Sequence, residues 1–127
     1  MIGRVSKVIV PVDDQAAALR FWTEQVGFET RRDDTYGDER WIEVAPPGGG
    51  PVLVLDPRSP GRARPDVDDM LPHSPVFFGC DDVEATHREL SERGVSFPVP
   101  PARQHFGWWA LFEDPDGTRY ALGDWAE

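Results

Sequence analysis

The side chains able to do chemistry in this chain are few and scattered. Its three histidines, His73, His87 and His105, show neither the i, i+4 spacing of a helical metal pair nor an alternation that would converge them from one strand. The single cysteine, Cys80, has no CxxC partner and lies in an apolar run, so it forms no internal disulfide and fits a small core position. No Gly-x-Ser-x-Gly elbow is present, and no Ser or Cys has a histidine that the sequence would place beside it. The triplet Gly48-Gly49-Gly50 is followed by neither a helix nor Gly-Lys-Ser/Thr, which argues against a phosphate loop. Two kinds of chemistry remain. One is acid/base work by Glu43, Lys7 or His105, which requires a shifted pKa. The other is aromatic recognition by a Trp-rich segment near the end of the chain.

That segment, residues 107–125, is GWWALFEDPDGTRYALGDW. Its two apolar runs flank Asp114-Pro115-Asp116-Gly117, where Pro presets φ at the second turn position and Gly accepts the positive φ needed as the chain reverses. We expect a hairpin that forms one wall of a cleft. Upstream, residues 5–12 are largely β-branched and predict a strand. Asp13 and Asp14 then offer an N-cap for a helix over 15–26, with Leu19, Trp22 and Val26 on one face and Gly27 as its stop. Strands are expected over 28–33, 40–45 and 52–55, and an exposed Pro- and Arg-rich connector follows. The pattern then begins again. Residues 76–80 predict a strand, Asp81-Asp82 a second cap, and 83–93 a helix with Val83, His87 and Leu90 on one face, so His87 is expected to be packed or half-buried. Gly94 closes that helix, and 95–99 make a strand before the hairpin. This is an internal duplication of strand, helix and three strands, an α+β arrangement in which each helix covers one sheet face and leaves the other free to curve around a cleft.

The 127 residues suit one domain over 1–127, with a first module over 5–57, a connector over 58–74 and a second module over 75–125. The formal net charge of -10 argues against nucleic acid or an anionic membrane as partner. No long uninterrupted apolar segment opens the chain, which leads us to expect a soluble, cytoplasmic protein without signal peptide or membrane span.

Three groups of residues carry a family resemblance: Val12-Asp13-Asp14 followed by Leu19-Arg20-Phe21-Trp22 and Val26-Gly27-Phe28; Cys80-Asp81-Asp82-Val83 followed by Gly94-Val95; and Phe112-Glu113-Asp114-Pro115-Asp116-Gly117-Thr118. With these the chain resembles the vicinal oxygen chelate superfamily of glyoxalases, bleomycin resistance proteins and extradiol dioxygenases, in particular its bleomycin-resistance branch. The resemblance implies two tandem βαβββ modules forming a curved mixed sheet around a cleft, and a homodimer. It also implies where a metal would be bound, on the first and last strand of each half, and those positions fall on Lys7, Val54, Pro75 and Ala121. Lysine at neutral pH is a cation and the other three side chains have no donor atom, so we expect no metal and no other cofactor. A non-standard site using Glu43, His105 and waters is the alternative, and with it a lyase, isomerase or dioxygenase.

Alternation along each strand extends this placement. If Lys7 faces the cleft, so does Ile9, while Val8, Val10 and Val12 pack on the helix. Trp41 and Glu43 then face the cleft beside Val54, with Ile42 and Val44 in the core. In the second half Phe77, Trp109 and Leu111 line the cleft, and His105 and Phe106 lie near its mouth. Such a lining suits a flat organic ligand, with Trp41 and Trp109 as stacking surfaces and Glu43 as countercharge to a basic group. The expected function is metal-independent binding and sequestration of an aromatic, in one form cationic, small molecule, as in resistance to a natural product. A surface serving only protein assembly is a third reading.

Overall fold

The computed structural model describes residues 1–57 and 74–125. The chain forms two compact units, Met1–Arg62 and Ala63–Glu127. The expected connector, and His73 with it, lies outside the described residues apart from Ser74. Among the described residues each unit holds a four-stranded mixed sheet and one helical segment, so the duplication is present as expected.

In the first unit the elements are β1 (Lys7–Pro11), α1 (Gln15–Arg20), β2 (Glu29–Tyr36), β3 (Glu39–Ala45) and β4 (Val52–Asp56). The sheet order is β1-β4-β3-β2, with β1 and β4 parallel and the other pairs antiparallel. The Asp14 side chain caps α1 by accepting from the Ala17 N–H at 3.1 Å. The helix was expected to run regularly over 15–26, but it continues into a π-helical turn, Phe21–Gln25, closed by the Val26 N–H on the Phe21 carbonyl at 3.0 Å. The wider turn shifts the apolar stripe. Phe21 and Trp22 are both fully buried, edge to face at 5.2 Å, while Leu19 and Val26 are only partly buried. Val10, Val12, Ile42, Val44, Leu53 and Leu55 complete this core. Strand β2 extends past the expected residue 33 to Tyr36; its ETRRDDTY sequence has no apolar alternation because the edge strand is exposed on both faces.

The second unit repeats this order with β5 (Phe77–Gly79), α2 (Val83–Glu92), β6 (Ser96–Gln104), β7 (Gly107–Glu113) and β8 (Arg119–Gly123), arranged β5-β8-β7-β6. Asp82 caps α2 through the Ala85 N–H at 3.0 Å, and Gly94, at φ 89°, ends the segment as expected. Val83 and Leu90 are buried, and half-buried His87 meets Phe97 edge to face at 4.6 Å. Strand β6 runs to Gln104, beyond the expected residue 99. It carries Pro98, Pro100 and Pro101 because it is an edge strand, where a missing N–H costs no ladder bond on the outer side, and its register against β7 slips twice. On the helix side Phe78, Phe97, Phe112 and Tyr120 pack ring on ring at 5.5 to 5.9 Å. Among the described residues no helix is long and apolar enough to cross a membrane.

The β7–β8 hairpin turns where expected, and Asp114 holds it. Its Oδ1 accepts from the N–H groups of Asp116 and Thr118, each at 2.9 Å, and its Oδ2 from the Tyr120 hydroxyl at 3.1 Å. Burial is the strongest influence on this carboxyl and raises its pKa, with the hydrogen bonds from Thr118, Tyr120 and Asp116 opposing it only in part. Asp114→Ala strands three donors and should cost about 3 kcal/mol. A folded pKa above the unfolded one means that the group's contribution is complete below the unfolded pKa and is lost as pH rises through the folded value. Asp114→Asn removes this dependence. Its deficit against the parent protein, measured by urea unfolding, should therefore be largest in acid and narrow as pH rises through the carboxylate range; a deficit constant with pH contradicts this.

Candidate functional site

One helix covers only one face of each sheet, so the residues on the other face are those available for a ligand. In the first unit the register sets Ile9, Val54, Glu43 and Arg32 in one row across β1, β4, β3 and β2. Alternation adds Lys7, two residues before Ile9, and Trp41, two before Glu43. The five positions expected of this half are thus brought to one face. Val54 and Glu43 are buried within it, whereas Ile9 is 52% exposed.

Glu43 is the polar centre of that face. Its Oε2 accepts from Lys7 Nζ at 2.7 Å and from Trp41 Nε1 at 2.7 Å. Burial acts most strongly on this carboxyl and pushes its pKa up, but the hydrogen bonds from Lys7 and Trp41, with the charges of Lys7 and Arg32, outweigh it and hold the group below the ordinary carboxylate value. Glu43 was expected to meet a basic group on a ligand. Its countercharge instead comes from within the protein, because a lysine stem is long enough to lay its ammonium across the sheet. Beside Trp41, between the β2–β3 turn and the start of α1, lies an open depression of about 180 Å³ lined by Gln15, Tyr36, Arg40, Trp41, Val54 and Asp56. Its floor is fastened by Gln15, whose Nε2 donates to the carbonyls of Arg40 at 2.7 Å and Leu55 at 2.9 Å.

In the second unit two rows share the face turned away from α2. Phe77, Ala121, Leu111 and Val99 form one, and Gly79, Gly123, Trp109 and Ala102 the other. Trp109, Leu111 and Ala121 make a buried cluster there, so the expected grouping holds, but Trp109 is only 7% exposed and its Nε1 has no hydrogen-bond partner among the described residues. The more accessible aromatic surface is built by a residue the sequence reading missed. Trp125 lies over the two glycines of the second row, held by its Nε1 on the Phe78 carbonyl at 2.7 Å. Its ring meets Phe77 at 5.4 Å and stacks on Phe106 at 5.9 Å with 19° between planes, and His105 stands edge-on to Phe106 at 5.3 Å. Phe77 and Phe106 remain 52% and 43% exposed. The result is a four-ring ladder that joins Phe77, Phe106 and His105 through Trp125. The signal for it was the pair Gly79 and Gly123, since only residues without a side chain leave room for an indole on the strands.

The positions that the resemblance assigns to a metal do not fit one. Lys7 presents an ammonium already paired with Glu43, Val54 and Ala121 are buried without donor atoms, and Pro75 offers none. Among the described residues no group of three or more His, Cys, Asp or Glu is placed to hold an ion.

Two consequences can be measured. A Cβ at Gly123 would lie 2.5 Å from Cε2 of Trp125, so Gly123→Ala should expel the indole, red-shift part of the tryptophan emission and lower stability by about 1–3 kcal/mol; unchanged emission contradicts the packing. Lys7→Met should cost about 1 kcal/mol at neutral pH, the half-exposed lysine being partly screened. Because the folded pKa of Glu43 is depressed, its contribution is present above the unfolded pKa and lost as pH falls through the folded one. The Lys7→Met deficit should accordingly shrink in acid, and a deficit that grows there contradicts the pairing.

Comparison with known proteins agrees with this architecture. The uncharacterized protein YetH of Bacillus subtilis (strain 168) is 33% identical over 123 residues, covering 96% of this chain and 98% of its own. The solved structure of UcmS2 superposes with a TM-score of 0.81 at 32% identity, covering 98% of this chain and 99% of that one. TnmS3, an antibiotic binding protein from Streptomyces sp. CB03234, does so with a TM-score of 0.81 at 35% identity and 98% coverage of both. A family profile matches residues 4–122, and the chain belongs to the Glyoxalase/Bleomycin resistance protein/Dioxygenase superfamily.

Proposed function

We propose that this protein binds and sequesters an aromatic small molecule without using a metal. The observation that carries the reading is the ring ladder of Phe77, Trp125, Phe106 and His105, whose two phenylalanines are half exposed. Exposed rings fixed in place offer a flat ligand stacking area at little entropic cost, roughly 0.5–1.5 kcal/mol per ring pair beyond the area buried. The similarity to TnmS3, an antibiotic binding protein, supports a small-molecule ligand. The remaining positions, Lys7, Ile9, Trp41, Glu43, Val54, Trp109 and Leu111, belong to the proposal as residues of the two faces not covered by helices. Glu43, ion-paired to Lys7, favours no basic group on the ligand. Association into a homodimer, suggested by the family resemblance, belongs to the proposal too and is checked by light scattering.

Binding requires no covalent step from this chain. A ligand that binds only the native state raises the melting temperature, and its ring quenches nearby indoles. Neutral 2-naphthamide, chosen as a flat probe, should do both, and Trp125→Ala or Phe77→Ala should weaken its binding by about five- to thirty-fold, or about 1–2 kcal/mol. If neither emission nor melting responds to the probe, or if elemental analysis of the purified protein returns a stoichiometric transition metal, the proposal fails.

A further inference from the structure

We infer that the Lys7 face of the first unit is a site for an aromatic anion, with the Lys7 ammonium donating to a carboxylate, sulfonate or phenolate oxygen. The inference rests on the small-molecule reading above and adds to the ring ladder a second surface, on the first unit, with the class of ligand it takes. An ammonium has three N–H donors. One of them meets Glu43 Oε2 at 2.7 Å and fixes the lysine over the sheet, while 48% of the Lys7 side chain stays exposed. The acceptor of the pair is sealed by contrast. The Glu43 side chain is 7% exposed, and its Oε2 already receives both Lys7 and the Trp41 indole N–H. At the Lys7–Glu43 pair itself a molecule therefore meets N–H groups rather than carboxylate oxygens.

The other charged groups of the face do not reverse this. Arg32, in register with Glu43, is a second half-exposed cation, and its partner Asp34 accepts from it at 3.5 Å and from the Tyr36 hydroxyl at 3.3 Å. Asp34 and Tyr36 lie on β2, next to the β3 strand over which the ammonium sits, with Asp34 in register with Trp41, and the Asp34 carboxylate is met on its own strand by Arg32 and Tyr36. Next to Lys7 the exposed neighbour is Ile9, with Trp41 held beyond it by its own hydrogen bond, and together these supply apolar area for a ring. The net charge of -10 opposes anions at long range. At an ionic strength of roughly 0.15 M that field is screened beyond about 8 Å, and the group in contact decides.

Calorimetric titration at that salt with three naphthalenes of one shape separates the possibilities. 2-Naphthoate should bind about tenfold more tightly than 2-naphthylmethylammonium, the effect of one charge-assisted hydrogen bond. In Lys7→Gln that advantage should fall below about threefold. The pair Lys7→Gln with Glu43→Gln should behave alike, and because it leaves no buried carboxylate unpaired, it keeps the result independent of damage to Glu43. Equal or tighter binding of the cation, or an advantage of the anion that survives in the double variant, overturns the inference and leaves small-molecule binding standing. If naphthoate, the ammonium and 2-naphthamide all fail to bind, both are overturned.

Discussion

One helix cannot cover both faces of a four-stranded sheet, and among the described residues each half of this chain has one helical segment. That constraint fixes the rest. In each unit the apolar residues of the strands divide between a helix side, where Trp22 or Phe112 is almost wholly buried, and a second side turned away from the helix. Alternation along the strands then decides, residue by residue, which side chains are structural and which are available for binding.

The two halves use their second faces differently. The first organises its face around a buried carboxylate that must be met by donors, and Lys7 and Trp41 meet it on one oxygen. The second organises its face around space, because Gly79 and Gly123 leave a trough that the Trp125 indole fills and from which Phe77 and Phe106 are held half exposed. The positions where the family resemblance would put a metal serve these ends instead. Lys7 is the donor to the carboxylate, and Ala121, small and buried, backs the aromatic cluster.

Much of this was legible in the sequence. The paired Asp caps, the glycines that end both helical segments and the Asp114 turn each act through local backbone chemistry, so they were readable in place, and with them the duplication. The grouping of Lys7, Ile9, Trp41, Glu43 and Val54 was readable because period-2 alternation needs only one anchored residue per strand. What stayed hidden was one local irregularity and the contacts made far apart in the chain. The π-helical turn moved burial from Leu19 and Val26 to Phe21. The reach of Lys7 to Glu43 crosses an intervening strand, and no pattern of spacing announces it. Trp125 lies beyond the last strand, and its place over Gly79 depends on a pairing of β5 with β8 across more than forty residues.

The proposed docking surface is the ladder of Phe77, Trp125 and Phe106, and intermolecular nuclear Overhauser effects from bound 2-naphthamide report on it. Contacts are expected from the naphthalene protons to the rings of Phe77, Phe106 and Trp125; saturable binding with every contact elsewhere would overturn the proposal.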